Sequence, residues 1–117
     1  MTKAQKILQA KVNDNVMNEI KKYKNIITSN ETFTTEGKRL RNCTAYYWEV
    51  CNNNGEKLYT VLQSYRTVIA IINWKEWKCV DFLRYVYGFT STSCQHISKF
   101  FHDCGNYGME RLTYREV

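Results

Sequence analysis

Residues 90–105, TSTSCQHISKFFHDCG, hold both histidines of the chain and two of its five cysteines. Imidazole and thiol together are the ligand set of zinc sites, and a thiolate beside an imidazole is the machinery of acyl transfer. Each chemistry needs the side chains to converge, so the helix that carries them decides the matter. At about 100° per residue, Cys94, Ile97, Phe100, Phe101 and Cys104 share an arc of roughly 120°, which is a core-facing stripe. On it the two cysteines read as small buried hydrophobes rather than nucleophiles. His96 borders the stripe beside Phe100. His102 lies about 120° round and roughly 9 Å along the axis, too far for one metal ion to join the pair. No metal and no cofactor is expected.

Other catalytic patterns are missing. The chain has no GxSxG, HExxH or Gly-rich phosphate loop, and its eleven carboxylates are scattered singly. The expectation is a protein that is not an enzyme. The 90–105 segment then reads as a structural helix, with Thr92 and Gln95 at capping-box spacing and Gly105 at the C′ position.

The elements that would position this helix follow from periodicity. Residues from Thr2 to about Ile27 form a long amphipathic helix, opened by a Thr2–Gln5 capping box. Leu8, Val12, Val16, Ile20, Tyr23 and Ile27 make its apolar face. Asn13, Asp14 and Asn15 are poor helix formers, so a break into two helices is open. Lys21, Lys22 and Lys24 either complement the negative end of the helix dipole or contact phosphate. Residues 28–42 show neither period and read as a basic loop. Lys38, Arg39 and Arg41 there either solvate the loop or track a phosphate backbone.

From Cys43 the period changes. Residues 43–51, 57–65, 67–73 and 79–87 read as four strands, joined by NNNGE, a short turn and WKEWK. TVIAIIN, residues 67–73, is apolar throughout and suits the centre of a sheet covered on both faces. Consecutive strands with short turns make an antiparallel meander. The tail, 106–117, adds a short edge strand or an extended arm. The fold class is α+β: a long N-terminal helix, a meander of three to four strands and a short helix packed on it, in one domain spanning 1–117.

The totals bound the partners. The chain has 117 residues, 44% hydrophobic and 15% aromatic, enough to bury one core. Its Lys, Asn, Ile and Tyr content suits AT-rich coding, as in a low-GC bacterium or its phages. No signal-peptide core or membrane-length apolar run is present. The odd cysteine count then fits reduced thiols in a bacterial cytoplasm. A net charge of +6 and a pI near 9.1 suit contact with nucleic acid or an acidic protein surface.

Two pieces, 64-SYRTVIAII-72 and 90-TSTSCQHISKFF-101, together resemble a bipartite pattern of small phage and prophage proteins. A Ser-Tyr-x-Thr reversal leads into a buried strand, and a Ser/Thr-rich cap then opens a helix with His-Ile and a later Phe. The matching positions are Ser64, Tyr65, Thr67, Ala70, Ser91, Thr92, His96, Ile97 and Phe100; position 68 is Val where the pattern favours proline. The resemblance covers about 64–101. It implies that His96 hydrogen-bonds the strand–turn carrying Ser64 and Tyr65 and so orients the helix. It also implies an anti-defence role, since small phage proteins of this kind include anti-CRISPRs.

The expected function is therefore stoichiometric inhibition of a host defence complex, an RNA-guided nuclease or other CRISPR effector with its guide RNA. Contacts would come from Trp74 and Trp77 at a hairpin tip, with Lys38, Arg39 and Arg41. Alternatively the two tryptophans simply cap the core. The competing reading is a small RNA- or single-stranded-DNA-binding module. In it Tyr46, Trp48, Tyr59, Tyr85 and Tyr87 would stack bases if one sheet face were open. Two amphipathic helices are expected to cover the other face.

Overall fold

The computed structural model describes residues 1–88 and 90–117. It is α+β, in the order α1 (Lys3–Ile27), β1 (Thr32–Thr34), β2 (Lys38–Arg39), β3 (Ala45–Asn52), β4 (Lys57–Ser64), β5 (Thr67–Asn73), β6 (Lys78–Asp81), α2 (Leu83–Val86), α3 (Ser91–Cys104) and β7 (Glu110–Thr113). All seven strands join one sheet. Its path is β1-β3-β4-β5-β6-β7, with β2 also pairing to β3. The expected meander is β3 to β6, antiparallel at every step, and the tail adds β7 in parallel on β6.

β5 lies mid-sheet, and its residues from Ile69 to Ile72 are buried. Alternation sends Ala70 and Ile72 to one face and Ile71 to the other. Each face is closed by its own helix. Ile97, Phe100 and Phe101 of α3 pack with Leu62, Ala70 and Ile72, whereas Val16, Ile20 and Tyr23 of α1 pack with Tyr59, Val61 and Ile71. The expectation that both helices share one face is thus corrected. A central strand apolar on both sides needs cover on both.

α1 opens with the expected Thr2–Gln5 capping box and runs unbroken through Asn13. That asparagine is a clamp: its Nδ2 donates to Arg115 O and its Oδ1 accepts from Arg115 N, while Gln9 donates to Thr113 O. The apolar face is shorter than its periodicity suggests. Leu8 and Ile27 are exposed, and Ile26 packs in place of Ile27.

Three further expectations are corrected. Residues 28–42 contribute β1 and β2, both paired to β3. The strand expected over 79–87 ends at Asp81, whose Oδ1 accepts from Leu83 N and turns the chain into the single turn α2. Tyr85 and Tyr87 therefore lie outside the sheet, and Tyr59 is buried edge-on against Tyr23. Lastly, α3 is capped by Thr90, which accepts from Ser93 N; Thr92 sits exposed in the first turn. Gly105 ends α3 at φ −79°, not in the left-handed region. Glycine is needed there for closeness, since a Cβ would stand 2.6 Å from Phe101 O.

Candidate partner-binding face

The turn from β4 to β5 places Tyr65 in the left-handed region at φ 56°. This reversal sets Ser64 under α3. Ser64 Oγ lies 2.8 Å from His96 Nδ1 and 3.1 Å from Ser93 Oγ, and the Tyr65 ring stands 6.2 Å from the imidazole. Ser64 and His96 are 4% and 3% exposed. A hydroxyl and an imidazole in hydrogen-bond reach resemble half of a hydrolase triad, but here they are sealed between helix and sheet. Their geometry ties α3 to the hairpin. Of the motif residues, Ser64, Tyr65 and His96 meet, and Thr67 pairs with Ser64 across the turn. Thr92 does not take part. Ser93 was the missing member, and its position three residues after the true cap was the available signal.

Burial, and secondarily Lys99, holds the His96 pKa below the usual imidazole value. A group protonated less readily when folded contributes stability above the unfolded value of about 6.5, which fades as pH falls toward the folded value. Melting temperature should therefore drop on acidification below about pH 6.5. A variant lacking the imidazole should show a weaker drop over the same window when melts are followed by circular dichroism.

A second anchor fixes the β5–β6 hairpin. Glu19 of α1 is buried at 2% exposure; it accepts from Asn73 Nδ2 at 2.9 Å and lies 3.5 Å from both Lys22 Nζ and Lys78 Nζ. Lys22 reaches on to Glu76 at 2.9 Å, and Asn73 Oδ1 accepts from Glu76 N. Beside this network, burial and then the Glu19 and Glu76 charges push the Tyr59 phenol up to about 12. Of the three lysines near the end of α1, Lys22 is thus accounted for as an anchor for the hairpin.

That hairpin carries both nominated tryptophans. Trp74 packs against the α3-side core and donates from Nε1 to Thr60 Oγ1 at 2.8 Å, with Lys57 Nζ 4.3 Å over its ring. Trp77 meets it edge-on at 5.9 Å, yet stays 43% exposed. Its φ of 62° is left-handed, a region that favours glycine. Trp74 is therefore partly a core cap, and Trp77 is not.

α3 stops short of this end of the sheet and leaves an open depression of about 240 Å³, lined by Lys38, Tyr47, Glu49, Lys57, Trp74 and Asp103 among others. Arg41 reaches its rim through a bidentate pair with Asp103, at 2.6 and 2.7 Å. The guanidinium, aided by His102, holds the Asp103 carboxyl well below the usual carboxylate range. Pairing with Glu49 occupies Lys57 at 3.1 Å, whereas Lys38 makes no ion pair among the described residues. Arg39 is elsewhere. β2 pairs Lys38 with Tyr47 and Arg39 with Tyr46, so the neighbours point to opposite faces.

Two of the five cysteines are disfavoured as thiolates. Burial, with the nearby Asp103 and Glu49 charges, pushes Cys104 up to about 11, and burial also raises Cys79. Among the described residues no three His, Cys, Asp or Glu side chains gather as metal ligands. Among them, too, no helix is long and apolar enough to cross a membrane. Comparison with protein-family models, curated proteins and solved structures finds no match for this chain.

Proposed function

We propose that the protein is a non-catalytic binding partner that docks through the Trp77 tip and acts as a stoichiometric inhibitor. The observation that carries this reading is Trp77 itself. A large aromatic side chain is held exposed in a backbone conformation that costs about 1–2 kcal/mol for any residue but glycine, on a hairpin anchored to α1 through Glu19 and Lys22. A left-handed backbone at a bulky, exposed residue is a candidate functional position, and tryptophan is enriched among residues that dominate interface energies. Lys38 at the adjoining depression, with no ion pair of its own among the described residues, adds a cation for an acidic protein surface. The resemblance over 64–101 suggests the partner class: a host defence complex, specifically an RNA-guided nuclease carrying its guide RNA.

The protein immobilised through its C-terminus should capture a protein from a low-GC bacterial lysate, and the capture should survive nuclease treatment. Loss of every partner after that treatment would contradict a protein-docking tip.

A further inference from the structure

The opposite face of the sheet carries a different site. Glu19, Lys22 and Ile26 form the flank of α1 turned toward the β5–β6 hairpin, where Glu19 meets Asn73 and Lys78, and Ile26 lines a cleft with Leu58. At about 100° per residue, Met17, Lys21 and Lys24 fall on the other flank. Met17 on that flank packs against the same cluster as Trp48 and Val68, so the flank borders the β3 residue Trp48, with Tyr46 two residues along on the same face. Lys21 and Lys24 are exposed, and neither is ion-paired among the described residues.

The sheet beyond this flank is only partly covered, and Trp48 and Val68 pack at the edge of the α1-side core. Tyr46 is 44% exposed, and Trp48 and Val68 are half-buried. Tyr46 and Trp48 are two residues apart on one strand, hence on one face and about 7 Å apart. Arg39 lies directly opposite Tyr46 on β2, its Nε tied to Cys43 O at 3.0 Å. On this face the strands β3, β4 and β5 carry no carboxylate; Glu49 points the other way, opposite Thr60.

We infer that this L-shaped corner binds single-stranded nucleic acid, with unpaired bases stacking on Tyr46 and Trp48 and phosphates held by Lys21, Lys24 and Arg39. An aromatic floor without carboxylates, beside a cationic wall, matches what a flexible polyanion with flat bases requires. An acidic peptide would use the cations but gain little from two ring faces. This site is separable from the Trp77 tip, which lies on the α3 side of the sheet at the far hairpin.

The test is fluorescence anisotropy with a short labelled oligouridylate, from low to physiological salt. The intact protein should bind it, with affinity falling as salt rises. Tyr46→Ala should weaken binding about tenfold, the scale of losing one stacked base, while Tyr46→Phe keeps it. The double change Lys21→Gln and Lys24→Gln, on an exposed helix flank, should flatten the salt dependence by about 0.7 for each phosphate no longer neutralised. Trp77→Gly should bind as the parent does. Absence of binding at low salt would overturn the inference. So would unaltered binding by both Tyr46→Ala and the double lysine variant, or equal affinity for a duplex of the same length, which would mean phosphate binding without stacking. Loss of binding in Trp77→Gly alone would place the strand on the other face and equally overturn it.

Discussion

Replacing His96 with alanine should lower stability by about 2–3 kcal/mol, the cost of removing a buried side chain and the hydrogen bond it makes. For a chain of this size that is roughly a 10 °C fall in melting temperature. The loss has two parts. Removal of the ring leaves a cavity between α3 and the β4–β5 hairpin, next to Ile97 and Phe100, whose burial depends on the same docking. Ser64 also loses its partner at 2.8 Å, although it keeps Ser93 at 3.1 Å, which limits the penalty. His96→Asn, whose amide can still reach Ser64, should recover part of the difference. Thermal melts of the three proteins decide it. Unchanged melting in His96→Ala would remove the structural role and reopen a reactive one for the imidazole.

Part of this lock is legible through the resemblance over 64–101, which implies that His96 hydrogen-bonds the strand–turn carrying Ser64 and Tyr65. The bounds of β5 coincide with the apolar run TVIAIIN, and α1 begins at its capping box. These signals are strong because each is local and repeated over a turn or more. β1 and β2 were not legible because three and two residues are too few to show a period. The false extension of β6 has another cause. Phe82 and Leu83 are apolar in strand or helix alike, and the Asp81 side chain decides between them by accepting from Leu83 N.

The helix arrangement was legible but misread. A strand apolar on both faces already demanded a helix on each side, and Ile71 against Val16 with Ile72 against α3 shows the consequence. The site was half legible. Its residue types were identifiable, but the division of Lys38 from Arg39 follows from β2 pairing, and the pairing of Arg41 with Asp103 spans the chain. No local pattern encodes either. The left-handed backbone at Trp77 also has no sequence signal, because glycine is the residue that would announce it.

Trp77→Gly separates the proposed docking role from the fold. Glycine relieves about 1–2 kcal/mol of left-handed strain. It forfeits about 0.5–1.5 kcal/mol of ring interaction with Trp74 and gives the unfolded chain freedom worth about 0.4–1 kcal/mol. These nearly cancel, so melting should stay within about 5 °C of the parent. A partner docked on Trp77 would instead lose about 2 kcal/mol or more, a hot-spot loss of roughly thirtyfold in affinity. The direct measurement is calorimetric titration of parent and Trp77→Gly against the captured protein partner, with melts of both recorded alongside. Docking through Trp77 predicts equal melting, one-to-one binding by the parent, and an affinity weakened at least about thirtyfold in the variant. Equal affinity in the two proteins would contradict it.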